Sequence, residues 1–213
     1  MDGGKLLIVS LYVDDLIFIG NDESMFKTFK RSMMIEFDMT DLGMMSYFLG
    51  IEVVQRLEGM YVGQQKYAQE VLERFNMDQC NPVHNHVVPG FKLMKDEDGV
   101  MVDNTMYKQI VGSLMYMERP TKLHLQAAKR VLRYLKGTID FGLFYKKRGN
   151  EDLIGYTDND YAGDQDDRKS TSGYVFMLSS KAVSWSSKKQ PVVTLTTIEA
   201  EFIAAASSAC QVV

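Results

Sequence analysis

The chain has 213 residues, 46% of them hydrophobic and 24% charged, with a formal net charge of −4. That length suffices for one large domain or two small ones with an ample core, and the composition is that of an ordinary globular chain. The acidic balance (pI near 5.4) argues against a free-standing nucleic-acid binder, so any nucleic-acid contact needs a local basic patch. Along the chain, the apolar runs Leu6-Leu7-Ile8-Val9 and Leu16-Ile17-Phe18-Ile19 read as buried strands, which puts Asp14 and Asp15 at a hairpin turn. Residues 23–37 read as a helix with Asp22 as N-cap and Met25, Phe26, Phe29, Met33 and Met34 as its apolar stripe. A strand over 47–54 and a second over 59–64 form a hairpin around Leu57-Glu58-Gly59, and 66–75 is an amphipathic helix. From 76 to 103 periodicity fails and Pro82, Pro89, Gly90 and Asp96-Glu97-Asp98-Gly99 read as a linker. Helical pattern returns at 106–117 and 121–136, the second closed by Gly137 in a C-cap position. Residues 141–147 look extended. Strands follow at 153–157, 173–178 and 182–186, with a last helix from about Ile198.

Several polar groups have a chemical reading beside a plain one. Asp14 and Asp15 on a rigid turn offer the hard oxygen ligands that divalent-metal phosphoryl chemistry needs; the plain alternative is a solvated turn. Thr196-x-x-Glu199 fits a capping box at a helix start. Asp160, Asp164, Asp166 and Asp167 read as a solvated loop. On the 121–136 helix, Lys122, Lys129, Arg133 and Lys136 fall on one narrow stripe between two apolar flanks, an exposed basic ribbon suited to phosphates or simply to solvent. His84 and His86 read as loop residues, His124 as a helix-surface residue, and Trp185 as core or edge packing. Cys80 and Cys210 form no metal-ligand or disulfide pattern and suit a reducing compartment. Neither a signal peptide nor a membrane-spanning run is expected.

The stretch Leu11-Tyr12-Val13-Asp14-Asp15-Leu16-Ile17-Phe18-Ile19-Gly20 resembles the catalytic hairpin of reverse transcriptases, in the wording of copia-type LTR retrotransposon Pol polyproteins. The resemblance continues through Tyr47-Phe48-Leu49-Gly50-Ile51-Glu52, Gln126-Ala127-Ala128-Lys129-Arg130-Val131-Leu132-Arg133-Tyr134-Leu135-Lys136-Gly137-Thr138, Arg168-Lys169-Ser170-Thr171-Ser172-Gly173-Tyr174 and Ser184-Trp185-Ser186-Ser187-Lys188-Lys189-Gln190. It implies an α+β chain: the later polymerase palm over 1–75, thumb and connection over 76–150, and the start of a ribonuclease H-like mixed sheet with helix over 151–213. By the same resemblance Asp14 and Asp15 are polymerase metal ligands, Tyr12 lies near the primer end, and Asp158 and Glu199 are the first two ribonuclease H carboxylates. Lys122, Lys129, Arg133 and Lys136 are the candidate nucleic-acid contacts, and Mg²⁺ or Mn²⁺ is the implied cofactor. Template-primer or RNA–DNA hybrid is the implied partner, with no membrane, in the cytoplasm and in the nucleus.

Departures from the family pattern shape the expected activity. The chain opens directly before the hairpin strand, without the family's earlier aspartate, and ends at Val213 before the remaining two ribonuclease H carboxylates. Gly112-Ser113-Leu114-Met115-Tyr116 passes straight into Met117-Glu118-Arg119-Pro120-Thr121, where the family carries a further helical segment. The expectation is a catalytically inactive fragment, marginally stable and prone to self-association through unpaired strand edges. The alternative is a non-enzymatic remnant that binds nucleic acid, or a partner, through the 121–136 helix.

Overall fold

A computed structural model describes residues 4–90, 93–112, 120–147, 152–178 and 181–211. The fold is α+β, built from small antiparallel sheets and helices, and the chain forms two compact units, Met1–Phe48 and Leu49–Val213. Among the described residues no helix is long and apolar enough to cross a membrane.

The first unit opens with β1 (Leu7–Tyr12) and β2 (Asp15–Gly20), paired antiparallel from Leu7↔Gly20 to Tyr12↔Asp15. Alternation places Val9, Leu11, Leu16 and Phe18 on one face and Ile8, Tyr12, Asp15, Ile17 and Ile19 on the other. Asn21 closes the open end, accepting the Leu6 N–H on Oδ1 and donating Nδ2 to the Gly4 carbonyl. Glycine is required at 20, because a Cβ there would lie 2.3 Å from the Leu6 carbonyl oxygen. Helix α1 (Glu23–Glu36) starts as predicted at Asp22, whose carboxylate accepts the Met25 N–H. Hydrogen bonding from Ser24, with Lys5 and the Met25 amide adding to it, holds the Asp22 carboxyl well below the usual range. Phe26 and Phe29 meet Phe18, each ring centroid 5.5 Å away. The expected burial of the two strands is not found. Leu11 is 70% exposed and Ile19 66%: Ile19 is on the face away from α1, and Leu11 is at the turn end of the face that Phe26 and Phe29 meet at Phe18. Short strand β3 (Tyr47–Phe48) ends this unit.

The expected single strand over 47–54 is broken. Leu49 and Gly50 both take positive φ (48° and 80°), a conformation that interrupts pleating. Strand β4 (Ile51–Gln55) restarts after it and pairs with β5 (Gly59–Gly63), and β5 pairs with β6 (Gly142–Lys146) from much later in the chain. Helix α2 (Gln65–Arg74) buries Ala68 and Leu72, α3 (Asn104–Val111) buries Tyr107, and α4 (Lys122–Gly137) buries His124, Ala128 and Leu132. Both α2 and α3 pack on α4. Burial pushes the Tyr107 phenol above its ordinary value. Gly137 is the last helical residue, with Thr138 the C-cap, so the glycine cap is displaced by one. The predicted helix over 106–117 is observed as far as Val111; residues 113–119 lie outside the described residues.

Region 76–103 is a packed strap more than a linker. The Val83 N–H donates to the Arg133 carbonyl, and the His86 ring lies 5.3 Å from that of Tyr134. Further on, the Lys122 N–H donates to Val100 O and the Val102 N–H to Pro120 O. A last sheet, ordered β7 (Leu153–Asp160), β8 (Thr171–Leu178), β9 (Lys181–Lys189), carries helix α5 (Thr197–Ala209) over β7 and β8. Ala200 and Ala204 are the small buried residues that let the helix approach. The Tyr145 hydroxyl, on β6, donates to the Ala182 carbonyl on β9 at 2.6 Å. Trp185, predicted as packing, is 65% exposed, because it shares a sheet face with Tyr156 and Val175 that no helix among the described residues covers.

Candidate functional site

The hairpin tip presents the adjacent carboxylates. Val13 and Asp14 form a two-residue turn between β1 and β2, and Val13 has φ 51°. Positive φ at the first turn residue suits the primed turns that match strand twist. For a β-branched residue that conformation costs about 1–3 kcal/mol. Asp14 is thereby placed at the tip and Asp15 at the first paired position of β2, opposite Tyr12. Both carboxylates are exposed, and among the described residues neither makes a hydrogen bond or ion pair. The Tyr12 ring lies edge-on to Phe48, centroids 6.3 Å apart, so the side chain beside the pair is braced on one side and open on the other.

The second acidic centre lies on β7 and α5. Asp158 pairs with Gly173 in an unbroken β7–β8 register and is exposed. It takes the face of Tyr156, while Asn159 takes the face of its own ladder partner Ser172. Glu199 stands in the first turn of α5. Its N–H donates to Thr196 Oγ1 at 3.1 Å and its carboxylate accepts the Leu195 N–H at 2.8 Å. The cap reading of Thr196 and Glu199 therefore holds, with the carboxylate closing on the residue before the N-cap. Among the described residues no hydrogen bond or ion pair joins Asp158 to Glu199, and no group of three His, Cys, Asp or Glu side chains is placed to hold a metal ion.

What fixes α5 against this sheet is a residue that sequence reasoning passed over. Gln190 is 3% exposed. Its N–H donates to Ser170 O, and its Nε2 donates both to Ser172 Oγ at 2.8 Å and to the Ala200 carbonyl at 3.0 Å. Behind it Ser170 and Thr194, both buried, exchange a hydroxyl hydrogen bond at 3.2 Å. A glutamine following two lysines carries no local signal of burial.

The acidic loop after β7 is tied down, where a solvated loop was predicted. Asp164 accepts the N–H groups of Asp166 and Asp167, and Lys189 pairs with Asp164 at 2.5 Å and with Asp167 at 3.0 Å. The Lys189 hydrogen bond, then the Asp167 and Asp166 amides, hold Asp164 well below the usual carboxylate range, and the two carboxylates raise Lys189. A lowered carboxyl pKa stabilises above the unfolded value of about 3.9. That contribution is lost as pH falls through the lower folded value. The raised lysine contributes below about 10.4 and is lost as pH rises past its folded value. The loop is thus expected to stay anchored from about pH 4 to about pH 10 and to loosen only in stronger acid or base. A carboxyl-carbon NMR titration of Asp164 checks this; a midpoint at the free-aspartate value would refute the anchoring.

On α4 the basic stripe is only partly available. Lys122 is exposed, but Lys129, Arg133 and Lys136 are half-buried. Arg133 Nε donates to the Asn81 carbonyl at 2.7 Å, and neighbouring Arg130 Nε to that of Asn85 at 3.1 Å. The strap meets the stripe at Arg133, so the expected open ribbon is corrected to an exposed Lys122, half-buried Lys129 and Lys136, and an Arg133 bonded to the strap. His124 is corrected as well: it is 1% exposed. Its Nδ1 accepts the Thr121 N–H at 3.1 Å and its Nε2 lies 3.0 Å from the Met94 carbonyl. It completes a capping box with Thr121, whose hydroxyl donates to Asp96. Thr-x-x-His is the signal that could have suggested this.

Residues 1–89 match the family described as reverse transcriptase (RNA-dependent DNA polymerase). The chain is 36% identical, over 98% of its length, to the retrovirus-related Pol polyprotein from transposon RE1 of Arabidopsis thaliana, covering 16% of that protein. It is 39% identical, over 94% of its length, to the Pol polyprotein from transposon TNT 1-94 of Nicotiana tabacum, covering 17% of it. An uncharacterized mitochondrial protein of Arabidopsis thaliana is 32% identical over 94% of this chain and 91% of its own length. No solved structure matches.

Proposed function

Because this chain belongs to the reverse-transcriptase family of copia-type retrotransposon Pol polyproteins, we propose that it is a polymerase-derived segment that is catalytically incomplete by itself. In this reading 1–75 is the later palm, 76–150 thumb and connection, and 151–213 the opening of a ribonuclease H-like domain. Asp14 and Asp15 are the palm carboxylates, Tyr12 stands by the primer end, and Asp158 and Glu199 begin a hydrolytic centre for RNA–DNA hybrid.

One observation carries the proposal: the Asp14–Asp15 pair is exposed and unengaged at a strained hairpin tip, with no third acidic, histidine or cysteine ligand grouped with it among the described residues. Mg²⁺ takes an octahedral oxygen shell of one or two carboxylates completed by water and substrate phosphates, and two-metal phosphoryl chemistry needs carboxylates placed to serve both ions. A bare pair attracts a cation without fixing two of them. At the second centre, Glu199 already accepts a backbone N–H, and Asp158 is not joined to it. The residues described do not fit a two-metal site, so no catalytic step is assigned.

The proposal is tested by incubating the folded chain with labelled RNA–DNA hybrid and either Mg²⁺ or Mn²⁺, beside an Asp158→Asn variant. No cleavage above the protein-free blank is expected from either. Cleavage by the parent that disappears in the variant would show that the centre is completed, and would end the proposal.

A further inference from the structure

Strand β7 is one edge of its sheet, and among the described residues no strand pairs with its outer side. Natural edge strands are guarded by brevity, proline, charged side chains or a bulge, and the charges of β7, Asp158 and Asp160, fall at its C-terminal end. The rest of the strand is unguarded: β7 runs eight residues, Leu153–Asp160, in continuous register with β8 and contains neither Pro nor Lys. The sheet's irregularity lies at Phe176/Met177, between β8 and β9. Leu153, Ile154 and Tyr156 are exposed along the edge strand. Beside it, α5 leaves Ile198 and Phe202 exposed, with Ala205 and Ala209 on the same helical stripe.

We infer that β7 pairs antiparallel with β7 of a second copy of this chain, about a two-fold axis through Thr157, to join two three-stranded sheets into one. The charge pattern disfavours the two neighbouring residue-centred registers. Centred on Thr157, Tyr156 faces the partner's Asp158 and Ile154 faces the partner's Asp160, so no acid opposes an acid. Centring on Tyr156 would set Asp152 against Asp160, and centring on Asp158 would set that carboxylate against its own copy, both unfavourable. Opposed residues share a face, so the Thr157 register keeps both α5 helices on one side of the joined sheet. With strands about 4.8 Å apart, helices seated between β7 and β8 come to roughly 10 Å from each other, a normal helix-packing distance. This inference is independent of any metal bound by Asp158 or Glu199.

The test is sedimentation equilibrium of the full chain between about 1 and 100 μM, with hydrogen exchange of β7 amides followed over the same concentrations. A discrete dimer is expected, with β7 amides becoming more protected as concentration rises. Ile154→Asp/Tyr156→Asp, which sets acid against the partner's Asp160 and Asp158, should weaken the dimer at least tenfold, whereas Trp185→Asp, on the same face but on β9, should not. A monomer at the highest concentration overturns the inference. So does association with no gain of β7 protection, or equal loss in the Trp185 variant. If the double variant fails to fold, the concentration dependence of β7 exchange in the parent chain decides alone.

Discussion

His124→Ala is expected to destabilise the second unit by about 3 kcal/mol, one of the two largest effects of any single substitution foreseen here. The imidazole does two jobs that alanine cannot. It accepts the Thr121 N–H at the start of α4, and it holds the Met94 carbonyl of the strap. Each buried backbone group left without a partner costs about 1–3 kcal/mol, and the space vacated by a ring that is 1% exposed adds a cavity term. Asp96 loses indirectly, because the Thr121 hydroxyl it accepts from is placed by the same box. His124→Gln keeps the N3 capping geometry without the reach to Met94, so it should recover roughly half of the loss. Urea unfolding of the three proteins settles it. A His124→Ala midpoint within about 1 kcal/mol of the parent at unchanged slope would show that the strap is held by its other bonds.

His124 also shows where sequence reading stops. Its place on α4 was legible, but its burial was not, because what buries it is the aperiodic strap between Met94 and Val102. A helix wheel registers only the helix's own pattern. The same cause explains the basic stripe: Lys129, Arg133 and Lys136 do share one side of α4, yet the strap meets that side at Arg133. The β1–β2 register was legible because apolar alternation and a two-residue turn determine it. The exposure of Leu11 and Ile19 was not, since burial of a strand depends on a second layer that its own residues do not encode. The break at Leu49-Gly50 went unread because only the glycine signals positive φ. Trp185 was misplaced for a related reason: alternation gives its face, and only topology tells that α5 lies elsewhere.

The acidic pairs divide in the same way. Asp14 and Asp15 stand at the tip because the flanking strands put them there, a local property that one stretch of sequence contains. Asp158 and Glu199 are 41 residues apart by their numbers, and whether they meet depends on how α5 is seated on β7 and β8. That seating rests on Gln190.

Gln190→Ala is therefore expected to loosen α5 before anything else. The amide Nε2 bridges Ser172 Oγ and the Ala200 carbonyl, and Ala200 is fully buried beside Glu199. Removing the bridge takes away two hydrogen bonds and opens a cavity in a buried site, leaving the Ala200 carbonyl with its helical partner alone, at about 2 kcal/mol. If the loss is local, amide exchange in α5 should quicken by roughly 30-fold while β8 and β9 change little. The orientation of the amide matters as well. Gln190 Oε1 has no partner among the described residues, so the group is held by its donor side alone. Gln190→Glu replaces that donor with a second acceptor, aimed at the Ala200 carbonyl, and buries a charge. It should destabilise more than alanine does, although it is closer in shape. An ordering with glutamate milder than alanine would mean that packing, not the donor bond, seats the helix. Equal acceleration throughout α5 and the sheet would mean that the two unfold as one body, and Gln190 would then be an ordinary core residue with no special hold over the position of Glu199.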